Sequence, residues 1–136
     1  MKLLNPTLRL LLLAGATLLS LSGFADAGKP DFDFEQLMED VELELNEMQA
    51  SISLEDDGDA ILRAGRLAEA FKLIEDFFAG WGYADDAVLS SQQYQERARR
   101  VIALVEAGRH NEAYEVSVEF SQHCKACHDN YKPLPL

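Results

Sequence analysis

From Pro30 onward, apolar residues recur every third or fourth position, and nowhere does the chain alternate apolar with polar residues. That spacing confines it to helices that each bury a single stripe, and gives it nothing from which to build a sheet. The first helix is expected from about Asp33 to Ile52, with the stripe Phe34, Leu37, Met38, Val41, Leu45, Met48 and Ile52. Ser53 to Asp59 forms a turn, and Asp59 is placed to cap a second helix from about Ala60 to Phe78. Its stripe is Ala60, Ala64, Leu67, Phe71, Ile74 and Phe78. Gly80 and Gly82 end it, and Ala79 to Leu89 makes the longest connection. Ser90 with Gln93 has the spacing of a capping box and opens a third helix to about Ala107, with the stripe Tyr94, Ala98, Val101 and Val105. Gly108 supplies a left-handed stop. A fourth helix, capped by Asn111, runs to about Lys132 with Ala113, Val116, Phe120, Cys124, Cys127 and Tyr131 on one face. The fold class this predicts is all-α, an up-down-up-down antiparallel four-helix bundle.

The start of the chain reads differently. Lys2 and Arg9 precede the apolar run Leu10 to Leu21, which leads to Ala25-Asp26-Ala27. A charged start, a short apolar core and an A-x-A site are the parts of a secretory signal. Residues 1–27 are therefore expected to be cleaved, leaving 28–136 as one domain. The run is short for a membrane span, which needs about twenty residues, and no later segment is apolar enough to cross a bilayer. For a bacterial chain the expected compartment is the periplasm.

Charge narrows the partners. The chain carries 24 Asp and Glu against 12 Lys and Arg, a net charge of −12, and the signal removes Lys2 and Arg9 but only Asp26. Nucleic acid is excluded as a partner on that balance, since phosphate neutralisation needs basic clusters. An acidic protein is steered instead toward partners with basic docking surfaces.

The two cysteines of the chain both lie in Cys124-Lys125-Ala126-Cys127-His128. C-x-x-C-H is the attachment signature of c-type haem. Each thiol can form a thioether to one vinyl group, and the histidine that follows becomes the proximal ligand of the iron. Three other readings compete. A thioredoxin-like pair needs a β-α-β setting, and here the pair ends a long helical pattern. Zinc could use His123 and His128 around the cysteines, but would draw further ligands from elsewhere. A plain disulfide is the simplest of the three.

The sixth position of the iron follows from level. In an antiparallel bundle the start of the first helix lies beside the end of the fourth. Met38 and His128 then each fall about 6 to 8 Å from the same end, at 1.5 Å per residue. Met48 lies about 15 Å deeper by the same rise, whereas iron reaches only about 2 Å to a ligand atom. Met38 is thus the expected distal ligand. If Met38 only packs, as Met does well, the iron is five-coordinate and open to small gases such as nitric oxide.

With these residues in view, residues 28–136 resemble a class II c-type cytochrome, the family of cytochrome c-prime and its low-spin relatives. The specific part is Cys124 to Lys132, where Tyr131-Lys132 supplies an aromatic and then a basic residue after the motif. The segment Phe34-Glu35-Gln36-Leu37-Met38-Glu39 is similar to the opening of the four-helix b-type cytochrome, in which a Met at the matching place binds the haem iron. The resemblance implies a monohaem electron carrier with one covalently bound haem c. Cys124 and Cys127 would be its attachment sites, His128 the proximal ligand and Met38 the distal ligand. It also implies redox partner proteins and a monomer or homodimer; no Ser/His/Asp arrangement, phosphate loop or paired carboxylates stand out, so no enzymatic activity is expected. The first helix lacks the aromatic-Arg pair that many members carry, so the haem propionates would fall to Lys132, Lys125 or an arginine of the third helix. Trp81 and Tyr83 can cover a bundle end or form a subunit contact. Arg97, Arg99, Arg100, Arg109 and His110 read as a solvated face paired with nearby acids.

Overall fold

The computed structural model describes residues 33–131, with the side chains of all but His123 and Ala126. The expected signal over 1–27 and Lys132 lie outside the described residues. Four helices make up nearly all of the rest: α1 (Phe34–Ser53), α2 (Asp57–Ala79), α3 (Asp85–Glu106) and α4 (His110–Tyr131). There is no strand among the described residues.

Local chemistry accounts for each boundary. Asp33 caps α1 by accepting the Gln36 N–H at 3.1 Å. The end of α1 is a Schellman stop: the Asp56 N–H reaches the Ser51 carbonyl and the Glu55 N–H reaches that of Ile52. Asp56 then caps α2 through Asp59 N–H at 3.2 Å, so one residue finishes one helix and starts the next. The expected cap at Asp59 is therefore corrected. Asp59 sits inside the first turn of α2, where its carboxylate takes the hydroxyl of Ser51 at 2.5 Å and Arg63 at 2.6 Å.

The third helix also begins earlier than its sequence suggests. It opens at Asp85 behind Ala84, which offers no side-chain cap. Ser90 lies well inside it, so the connection is only Gly80 to Ala84. Asp85 and Asp86 place negative charge at the helix start instead, which favours it through the backbone dipole. The fourth helix begins at His110, and Asn111 is within it.

The core follows the predicted stripes closely. Val41, Leu45, Met48 and Ile52 of α1 and all six stripe residues of α2 are buried. So are Tyr94, Ala98, Val101 and Val105 of α3, and Ala113, Val116 and Phe120 of α4. α1 packs against α2 and α4, and α3 packs against the same two. The Gln49 side-chain amide ties α1 to the Ser117 carbonyl of α4 at 3.1 Å. No helix among the described residues is long and apolar enough to cross a membrane.

At the stop of α3, Gly108 has φ +68 and, with Arg109, makes the same pair of bonds that Glu55, with φ +56, makes with Asp56 at the stop of α1. A side chain in that left-handed region costs about 1–2 kcal/mol, partly offset by the greater chain entropy that glycine loses on folding. Glu55→Gly is accordingly expected to raise stability by about 0.5 kcal/mol, read as a higher urea midpoint with unchanged slope. A lower midpoint would show that the Glu55 side chain contributes more than its backbone costs.

Candidate functional site

The last two turns of α4 carry the chemistry. Phe120, Cys124, Cys127 and Tyr131 continue the stripe that buries Ala113 and Val116, so the cysteines emerge on the core-facing side. Both are free thiols and half-buried. His128, one turn beyond Cys124, is half-buried as well. Two alkylatable sulfurs and a coordinating imidazole thus leave one helix end together.

The Cys127 thiol is not activated. Burial pushes the Cys127 thiol up, and the nearby Asp86 carboxylate and Cys124 push it further. A redox-active C-x-x-C pair needs the opposite, a thiolate made easy by positive surroundings. The Cys124 thiol donates to the Phe120 carbonyl one turn back, at 3.2 Å. Among the described residues, no three His, Cys, Asp or Glu side chains gather as a metal-binding group.

An aromatic cluster closes this end. Phe34 of α1 meets Phe77 and Phe78 of α2 at 4.8 and 6.0 Å between ring centroids. Phe78 in turn meets Tyr131 of α4 at 4.8 Å. Trp81 lies against Phe77, Phe78 and Tyr131, and Tyr83 against Trp81. Trp81 thus covers this end with Tyr83 against it, the first of the two roles expected of them. Met38 lies one turn after Phe34, half-buried against the core, so its turn shares the end that holds Tyr131. Met48, fully buried at 0 % exposure, lies nearer the far end of α1.

Two polar residues beside the cysteines were not singled out in the sequence as site residues. Asp86, in the first turn of α3, accepts the Tyr131 hydroxyl and so fastens the last turn of α4. Tyr94 is buried beside Phe120, to whose carbonyl it donates at 3.4 Å. A tyrosine in a buried stripe is a usable signal, because its hydroxyl must find a partner inside. Asp86 carried no such mark while the start of α3 was read as loop.

The basic residues of α3 and the turn before α4 meet acids: Arg109 with Glu112, Arg99 with Glu96 at 3.5 Å, Arg97 with Glu119 at 3.8 Å, and His110 with Asp57 at 2.7 Å. A groove of about 430 Å³ runs along the outer seam of α1 and α2, lined by Leu43, Leu73 and Arg66 among others. It holds none of Met38, Cys124, Cys127 or His128. Comparison with known protein families, with curated proteins and with solved structures finds no match for this chain.

The contact with Asp86 pushes Tyr131 up to about 12 and holds the Asp86 carboxyl below its usual range. An unfolded tyrosine ionises near pH 10. This contact therefore contributes fully below about pH 10 and is lost as pH rises to about 12. On the acid side, the depressed Asp86 contributes above the unfolded carboxyl value, and that contribution is lost as pH falls through the lower folded value. Thermal melts of Tyr131→Phe should show a shallower decline over this alkaline window than the native protein. Parallel declines would remove Tyr131 from the account.

Proposed function

We propose that residues 28–136 form a periplasmic, monohaem c-type cytochrome that carries single electrons between protein partners, built as an up-down-up-down antiparallel bundle. The topology is supported by which ends meet. Phe34, Phe78, Trp81, Asp86 and Tyr131 join the start of α1, the end of α2, the start of α3 and the end of α4. At the opposite end, Ser51–Asp59 joins the end of α1 to the start of α2, and His110–Asp57 joins the start of α4 to the start of α2.

The observation that carries the haem reading is the grouping of two free, half-buried thiols, Cys124 and Cys127, on the core-facing side of the last turns of α4, with the half-buried His128 next to them. The donor set fits a vinyl-bearing porphyrin: two sulfurs one turn apart to hold it, and an imidazole next to them for its iron. A Cys127 thiol pushed up by burial suits permanent attachment better than exchange chemistry. When bound, the haem supplies one reversible electron through its iron. The chain's part is to hold that group: Cys124 and Cys127 as thioether anchors, His128 as proximal ligand and Met38 as distal ligand. Fixed ligands on two packed helices keep the site from rearranging as its charge changes. A Met/His pair raises the reduction potential. The acidic surface favours partners with basic docking faces. Export rests on Lys2, Arg9, the apolar run Leu10 to Leu21 and the site Ala25-Asp26-Ala27.

Protein secreted from a host able to attach haem should be red and keep its stain through denaturing electrophoresis. Its reduced spectrum should show a sharp α band unmoved by carbon monoxide. Met38→Leu should make it respond to carbon monoxide, while Met48→Leu leaves the spectrum as it was. A native protein that already binds carbon monoxide would instead make Met38 a packing residue and the chain a gas binder. A colourless product with a disulfide or a zinc ion would remove the haem reading altogether.

A further inference from the structure

The buried hydroxyl of Tyr94 has a use beyond filling the core. Tyr94 is 3 % exposed, stacks on Phe71 at 4.3 Å and lies against Phe120 at 5.5 Å. Its hydroxyl and the Cys124 thiol converge from two helices on one acceptor, the Phe120 carbonyl, at 3.4 and 3.2 Å. Burial first, then the adjacent Cys124, keep that hydroxyl protonated far beyond the ordinary tyrosine range. The guanidinium of Arg97, one turn along α3, sits over the Tyr94 ring at 5.4 Å. A cation on the ring face draws electron density from the phenol and strengthens its O–H as a donor.

Attachment changes the hydrogen bonding at Cys124. When the thiol adds across a vinyl double bond, one C–S and one C–H bond form and the S–H bond is consumed, with no net oxidation or reduction. The sulfur can then no longer donate to the Phe120 carbonyl and is left as a weak acceptor only. The hydroxyl that shared that carbonyl is the donor beside it.

We propose that Tyr94 is a positioning residue for the Cys124 anchor, its hydroxyl keeping its proton and donating a hydrogen bond to the thioether sulfur once that sulfur has no S–H of its own; the proposal rests on the haem reading above. The bond fixes the rotation of the Cys124 side chain, and through it one edge of the attached ring. A donor aimed at the edge of a redox group also favours the reduced state, because it stabilises added negative charge.

The test uses the full-length, haem-loaded protein with Tyr94→Phe, and a second form carrying 3-fluorotyrosine at position 94, whose phenol is a stronger donor in the same shape. The α band of the pyridine complex reports the number of thioethers, and potentiometry reports the reduction potential. Tyr94→Phe is expected to keep both thioethers and shift the potential downward; the fluorinated form should shift it upward. If Tyr94→Phe does not fold, the upward shift in the fluorinated form alone supports the proposal. A native potential in the fluorinated form, or in both forms, overturns it while leaving the haem reading intact. A colourless native protein overturns the haem reading itself, and this proposal with it.

Discussion

The rotation of each helix about its own axis is set by what it buries in the middle of the molecule. Met48, Leu67, Val101 and Phe120, one from each helix, are all buried there to near completeness. Removing a side chain of this kind to Ala costs about 2–5 kcal/mol, so no helix can turn without a large loss. Cys124 and Cys127 lie four and seven residues beyond Phe120, which leaves them on the same side of α4. The site is thus an extension of the core. Its orientation is stabilised by apolar burial far from it.

Polar contacts act at the ends, where that burial runs out. Asp86 fastens Tyr131 at the end that holds the cysteines, while Asp57 holds His110 at the other. Between them Gln95 reaches Glu75 at 2.6 Å, and hydrogen bonds from Gln92 and then Gln95 hold the Glu75 carboxyl below its usual range. Each of these joins two different helices. They fix axial register, whereas the stripes fix rotation.

Most of the architecture was legible in the sequence because stripes of period 3.6 survive any uncertainty about where helices begin. All six predicted stripe residues of α2 are buried, and the left-handed stop at Gly108 is where it was expected. Helix starts were read less well. Ser90 with Gln93 has the spacing of a cap but lies inside α3, whose true start relies on charge from Asp85 and Asp86 rather than on a side-chain hydrogen bond. Glu55 carries a left-handed turn with no glycine to announce it. At the site, the cysteines and His128 are adjacent in sequence and could be read directly. The roles of Asp86 and Tyr94 could not, because each depends on which α3 residue lies level with which turn of α4.

The double duty of Asp56 has a consequence for how this chain can vary. Because the residue that closes α1 also opens α2, there is no slack between the two helices to absorb an added or missing residue. A single insertion would carry α2 about 100° around its axis, turning Leu67 and Phe71 away from their neighbours. Substitutions can accumulate freely on the outer faces of these helices. Changes of length in that hinge cannot.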